Sequence, residues 1–155
     1  MPEPLAALVT QTIAALLNES YEGVPADKST WYADSGPRGS LLGLLATIPA
    51  ADAARAAPGR RSIAQHARHV RFHIEVTLKF LAGDKSSNNW DESWTVDARD
   101  EAAWKREVEA LRSAYAALRQ KLASIDWTDL TLGSAIGSVA HAAYHLGAIR
   151  QMLAR

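Results

Sequence analysis

The chain contains no cysteine. This absence excludes a disulfide framework, a zinc site built from thiolates and a cysteine nucleophile. Any transition-metal site in this sequence must therefore use nitrogen and oxygen ligands, and histidine is the obvious source of them.

The sequence also lacks an excess of charge of either sign. Lysine and arginine together number 17, and aspartate and glutamate together also number 17. A chain without net charge has no overall field that favours nucleic acid or an anionic membrane. We therefore expect no nucleic acid and no membrane among its partners.

Long apolar runs and an early basic segment are missing as well. No stretch approaches the ~20 uninterrupted apolar residues of a membrane-spanning helix. No lysine or arginine precedes Lys28, whereas a secretory signal peptide begins with a positively charged region. These absences predict a soluble, cytoplasmic protein.

The length of 155 residues predicts one domain, residues 1–155, with a core that needs no covalent staples. Four segments repeat apolar residues at helical spacing, and no segment has the signal of a strand. The first predicted helix runs from about Pro4 to about Tyr21, with Leu5, Leu8, Val9, Ile13, Leu16 and Leu17 on its apolar side. Between residues 24 and 61 proline and glycine recur, so only short helical pieces are expected there. The sequence assigns no role to this segment, including its Trp31 and Tyr32.

The other three predicted helices are marked by capping residues or by a regular stripe of apolar residues. The second begins at Ser62, which fits a capping box with Gln65, and stops at Gly83. Asp97 or Asp100 caps the third, whose core stripe comprises Trp104, Val108, Leu111, Tyr115, Leu118, Leu122 and Ile125. The fourth is expected to begin at Ser134. Residues 84–97 can cross the length of a helix, so the pattern predicts an all-α four-helix bundle with a long crossover between helices 2 and 3.

All five histidines lie in two short windows of predicted helix. His66, His69 and His73 belong to the second helix, and His141 and His145 to the fourth. A spacing of four residues places two imidazoles on one helix face. A third imidazole from a facing helix would complete a three-nitrogen site for a divalent metal ion. Periodicity leaves open which histidine of the second helix takes part.

Several alternatives follow from the same residues. Ala142 stands where the glutamate of a zinc-peptidase motif would be, so that motif is absent. Three histidine ligands with an open position favour activation of water or a thiol, and no catalytic residue is assigned. A fourth protein ligand would favour a structural metal, and histidines packed without metal would favour a ligand-binding or dimerising bundle. Asp91 and Glu92 on the crossover are candidates for a carboxylate base.

Residues 62–69 (SIAQHARH), the crossover with Trp90 and Trp94, and residues 141–150 (HAAYHLGAIR) together resemble the DinB family, also described as YfiT-like metal-dependent hydrolases. The resemblance covers about residues 59–155. It implies an up-down-down-up order of the four helices. The family's metal triad, carried over by motif position, selects His69, His141 and His145.

The resemblance also implies a function. It favours zinc, nickel or another divalent ion, a homodimer, and a small-molecule substrate such as a low-molecular-weight thiol, with hydrolysis or S-transfer as the reaction. Ala148 stands where the family often has glutamine, so any polar role of that side chain is lost or moved. The prediction is thus a metal-dependent hydrolase or thiol S-transferase. The alternative is a non-catalytic helical bundle whose metal is structural or absent.

Overall fold

A computed structural model describes residues 1–154, and all regular structure in that range is helical. Four helices are long, and the others are short pieces of five residues. The α-helices are α1 (Glu3–Tyr21), α2 (Leu41–Leu45), α3 (Ala50–Ala54), α4 (Ile63–Leu81), α5 (Glu101–Ala123) and α6 (Asp129–Leu153), and a 3-10 turn spans Trp90–Trp94. The prediction of an all-α fold with four long helices is confirmed.

The four long helices pack together around one apolar core. α4 packs against α5 and α6, and α1 packs against the other side of the same two helices. Among the fully buried core residues are Leu17, Tyr21, Val70, Ile74, Leu111, Leu118, Leu146 and Ile149. The first half of α1 departs from its predicted role, because Leu5 and Leu8 are 47% and 58% exposed.

The start and end of α4 are those that the sequence predicts. The Ser62 hydroxyl accepts a hydrogen bond from the Gln65 amide, and the Gln65 side chain accepts one from the Ser62 amide. After the helix, Gly83 has a φ of +89°, a conformation that glycine adopts without a steric penalty. The cap positions the histidines that follow it by fixing where the first helical turn begins.

The predicted start of α6 at Ser134 is wrong. The helix begins five residues earlier, after Thr128, whose hydroxyl accepts a hydrogen bond from the Thr131 amide while the Thr131 side chain accepts one from the Thr128 amide. Two threonines thus form a reciprocal cap where a polar link was expected. For α5, Asp100 rather than Asp97 supplies the cap, through the amide of Ala103.

The connection between α1 and α4 is anchored by a buried carboxylate. Glu19 in α1 is 1% exposed and accepts hydrogen bonds from the amides of Trp31, Tyr32 and Ala33 at 2.7 to 3.0 Å. These bonds hold the irregular segment against the end of α1. No helix within residues 1–154 is both long and apolar enough to cross a membrane.

Candidate metal centre

The predicted triad comes together between α4 and α6. One ring nitrogen each from His69, His141 and His145 can be chosen so that all three lie within 4.8 Å of one another. His145 is 3% exposed, and the other two rings are half-buried. The i, i+4 pair of α6 and one histidine of α4 therefore face each other across the helix interface.

The two remaining histidines lie next to the triad, and each contacts one of its members. His66 Nδ1 lies 2.8 Å from His145 Nδ1. The ring of His73 stacks on that of His141, with centroids 4.0 Å apart and an angle of 14° between the planes. Periodicity left the three histidines of α4 equivalent, whereas the structure gives them different neighbours.

A serine on the 3-10 turn fixes the orientation of His69. The Ser93 hydroxyl donates its one hydrogen to the Trp90 carbonyl at 2.5 Å and lies 2.6 Å from His69 Nδ1. Because that hydrogen is already used, Ser93 Oγ must accept from the Nδ1–H of His69. The lone pair of His69 then resides on Nε2, which is the arrangement that outer partners impose on metal-binding histidines.

Trp94 on the same turn holds the other side of His69. The two rings stack with centroids 3.9 Å apart and planes 8° from parallel. The Gln65 side chain donates to the Trp94 carbonyl at 3.1 Å, and the Arg61 guanidinium lies over the indole at 4.8 Å. Ser93 and Trp94 were missed as site residues, although the turn of two tryptophans with a serine between them was a visible signal.

His141 has a buried ring nitrogen with no partner. Its Nδ1 is inaccessible to solvent and forms no hydrogen bond with residues 1–154. A buried polar atom left unpaired costs about 1–3 kcal/mol. A metal ion bound at this Nδ1 would accept its electron pair and offset that cost, so the donor set fits a metal.

Burial keeps all five histidines neutral. Desolvation lowers the pKa of each ring. Repulsion from neighbouring histidines lowers the pKa further for His69, His141 and His145. Repulsion from Arg61 does the same for His66. The pKa falls to about 4 for His69, about 3 for His141 and about 2 for His145. Neutral imidazole is the form that binds a metal ion, so the cluster is ready for ligation at physiological pH.

The candidate carboxylates lie outside the histidine group. Asp91 and Glu92 are exposed on the 3-10 turn, and Glu92 accepts a hydrogen bond from Asn89 at 2.9 Å. Among residues 1–154, the cluster with metal-ligand spacing consists of the three histidines alone. Tyr144 is 70% exposed and touches His145 only with its ring edge.

A cleft of about 450 Å³ lies beside His73. His73 forms part of its wall, together with Val76, Thr77 and Phe80 of α4 and Ser134 and Gly137 of α6. Asp84, Lys85, Ser86 and Asn88 of the crossover also line it. Its volume lies within the range of small-molecule sites, about 300–1,000 Å³.

Comparisons with protein-family models, with curated proteins and with solved structures gave no match for this chain. The resemblance to the DinB family therefore rests on the residues quoted for it. The candidate metal centre rests on the geometry of the five histidines.

Proposed function

We propose that this protein is a metal-dependent enzyme of the DinB type, acting on a small molecule by hydrolysis or S-transfer. His69, His141 and His145 would hold a divalent ion, with zinc and nickel the first candidates. The observation that carries the proposal is the convergence of three neutral imidazoles from two helices within 4.8 Å.

The surroundings of the triad support ligation. Ser93 holds His69 as the Nδ1–H tautomer, and Trp94 packs flat on its ring. His145 shares its Nδ1 with His66, which leaves its Nε2 for another ligand. When bound in such a site, a divalent ion supplies Lewis acidity, which polarises a carbonyl or lowers the pKa of water or a thiol.

The number of ligands favours a catalytic role. Catalytic zinc sites commonly use three protein ligands, whereas structural sites use four. Within residues 1–154 no fourth histidine or carboxylate joins the group of ligand atoms that lie within 4.8 Å of one another. The cleft beside His73 is the proposed entry for substrate, and its mixed apolar and polar lining suits a small thiol or an amide.

The order of the helices proposed is up-down-down-up. Near the start of α6, the Trp127 indole donates to Thr10 of α1 at 2.8 Å. Near the end of α6, Arg150 forms an ion pair with Asp34. Asp34 directly follows Ala33, whose amide is bound by Glu19 near the end of α1. These contacts favour parallel α1 and α6, as that order requires.

One observation favours the alternative of a non-catalytic bundle. His66 and His145 satisfy each other by a hydrogen bond of 2.8 Å, and His73 stacks on His141. Part of the cluster is therefore stabilised by contacts among the imidazoles themselves. A metal tying α4 to α6, or no metal, is compatible with these contacts.

Turnover by the metal-loaded protein distinguishes the proposed metal-dependent enzyme from the non-catalytic bundle. The full chain, stripped of metal and reloaded with zinc or nickel, would be screened with small thiols plus electrophiles and with simple amides. The proposal expects turnover that is lost in His145→Ala and retained in Ser113→Ala, whose side chain is exposed on α5. Equal activity of the stripped and reloaded protein would contradict it.

A further inference from the structure

Another cleft, of about 370 Å³, lies between α4, α5 and the end of the crossover. No histidine of residues 1–154 lines it, so it is separate from the triad between α4 and α6. Its wall carries three guanidinium groups and two carboxylates, those of Arg68, Arg71, Arg106, Asp97 and Glu107. We call this site the arginine cleft.

Both carboxylates of the arginine cleft are already bound by arginine. Glu107 accepts hydrogen bonds from Arg71 Nε at 2.8 Å and Nη2 at 3.0 Å, and its side chain is 10% exposed. Asp97 accepts from Arg99 Nε at 2.9 Å and Nη2 at 2.8 Å. An anion that enters the cleft therefore meets carboxylates whose charge is compensated.

The Arg68 guanidinium is poorly paired for a side chain that is only 16% exposed. Its hydrogen bond goes from Nη1 to Glu75 at 3.3 Å, and Arg71 binds the same carboxylate at 2.6 Å. An arginine has five N–H donors, so most of those of Arg68 are free. The Phe72 ring, 5.2 Å from the guanidinium carbon, holds the group in place. Because a partly buried charge is costly without partners, an anionic ligand here would stabilise Arg68.

Arg106 adds a positive charge that no carboxylate compensates. It is exposed on α5 and lines the cleft. Within residues 1–154 it forms no ion pair. Because Arg68 and Arg71 are matched by Glu75 and Glu107, Arg106 gives the arginine cleft a net positive charge.

We propose that the arginine cleft binds the phosphate group of a small phosphate monoester, held by Arg68 and Arg106. Such a group has three strong acceptor oxygens and a charge of about −1.5 to −2 at pH 7. It can therefore accept from two guanidinium groups at once, whereas the two oxygens of a carboxylate are occupied by one arginine fork. This site goes beyond the proposed metal-dependent reaction and does not rest on it.

The rest of the cleft suits the organic part of such a ligand. Val96, Ala103 and Ala110 supply apolar contacts, and Thr95 supplies a hydroxyl. The volume of about 370 Å³ lies within the range of small-molecule sites, about 300–1,000 Å³. The ligand is thus a small molecule that carries the phosphate, with its organic part against these side chains.

Calorimetric titration of the full chain with glycerol 3-phosphate tests the proposal. The wild type should bind it, and Arg106→Gln should raise the dissociation constant about tenfold or more, because charged hydrogen bonds are lost. Arg112→Gln is the matched control, since it removes the same charge from an exposed position of α5 outside the cleft. No binding by the wild type, or a loss in Arg106→Gln no larger than that in Arg112→Gln, would overturn the proposal.

Two further titrations test the chemical class of the ligand. Glycerate carries a carboxylate on a similar organic part and should bind about tenfold more weakly than glycerol 3-phosphate, since it lacks the third oxygen. Arg68→Lys keeps the charge beside Glu75 but removes the planar fork of donors, and should weaken the phosphate several-fold. Equal binding of the two anions, or an unchanged affinity of Arg68→Lys, would overturn the assignment.

His145→Ala separates this site from the candidate metal centre. A phosphate can also bind to a metal ion, and such binding would be lost when a ligand of the metal is removed. The variant should bind glycerol 3-phosphate as the wild type does, and loss of binding would place the phosphate at the histidines and overturn the proposal. Binding to phosphatidic acid vesicles but not to glycerol 3-phosphate would assign the cleft to a membrane lipid and also overturn it.

Discussion

Ser93 determines which nitrogen of His69 is available. Its hydroxyl hydrogen is used by the Trp90 carbonyl, so it accepts from His69 Nδ1. Ser93 therefore determines which nitrogen His69 offers to a metal ion, although Ser93 itself is not one of the proposed ligands. Outer partners of this kind typically contribute a factor of about 10–100 in metal affinity.

Ser93→Ala should accordingly weaken zinc binding about 10- to 100-fold. The variant removes the acceptor that holds the Nδ1–H tautomer, while the three imidazoles stay in place. Competition titration with a chromogenic chelator measures the change. Ser113→Ala, an exposed position on α5, is the control and should bind zinc as the wild type does. An undiminished affinity of Ser93→Ala would show that the turn does not orient the ring.

The lowered pKa values of the histidines predict a pH dependence of stability for the metal-free protein. In the unfolded chain the imidazoles protonate near pH 6.5, whereas in the folded chain the pKa is about 4 for His69 and about 3 for His141. Between these values the unfolded state binds more protons, so stability falls as the pH falls below 6.5. Above pH 7 these histidines contribute no pH dependence.

Urea unfolding of the metal-free protein at pH 7 and pH 5 measures this effect. The midpoint should fall on acidification, and it should fall less in His145→Phe, which lacks the ring whose pKa is lowered most. A wild-type midpoint that is the same at both pH values would contradict neutral burial of the cluster.

Local signals predicted the helices, and their failures have local causes. The capping box at Ser62 and the glycine stop at Gly83 gave the bounds of α4, because both act through neighbouring backbone groups. The start of α6 was missed because the reciprocal cap of Thr128 and Thr131 has the composition of a turn. Leu5 and Leu8 lie on the apolar side that the sequence predicts for α1 but are exposed, because periodicity identifies an apolar face but not what covers it.

The segment between α1 and α4 depends on a contact that no local pattern signals. Glu19 lies on the buried side of α1, and its hydrogen bonds reach 12 to 14 residues along the chain. Burial raises the pKa of this carboxyl, and the bonds from Ala33, Trp31 and Tyr32 lower it further than burial raises it. The net lowering means that the ionised form is stabilised in the folded state.

Glu19→Ala should therefore lower the free energy of unfolding at pH 7 by about 2–3 kcal/mol, because buried amides lose a charged acceptor. The contribution is present above the pKa of the unfolded carboxyl and is lost as the pH falls through the lower folded value. Chemical denaturation at pH 7 and pH 3 measures both parts. Glu22→Ala is the control, since its ion pair with Arg119 is exposed and should contribute less than about 1 kcal/mol.

At the scale of the whole molecule, the packing of α4 against α6 creates the site. Spacing along one helix placed His141 and His145 on one face, but it could not choose among His66, His69 and His73. That choice depends on the rotation of α4 against α6 and on the crossover that brings Ser93 and Trp94 over His69. Both are long-range features that a periodic pattern does not contain. The choice of His69 came instead from the resemblance to the DinB family.

The most direct test is the metal content of the purified chain. After supplementation with zinc or nickel and removal of loosely bound ions, elemental analysis should find about one divalent ion per chain in the wild type and in His73→Phe. His145→Ala should contain almost none, because one of three ligands is gone while circular dichroism confirms the helices. A wild type without stoichiometric metal, or a His145→Ala variant that keeps it, would contradict the three-histidine site.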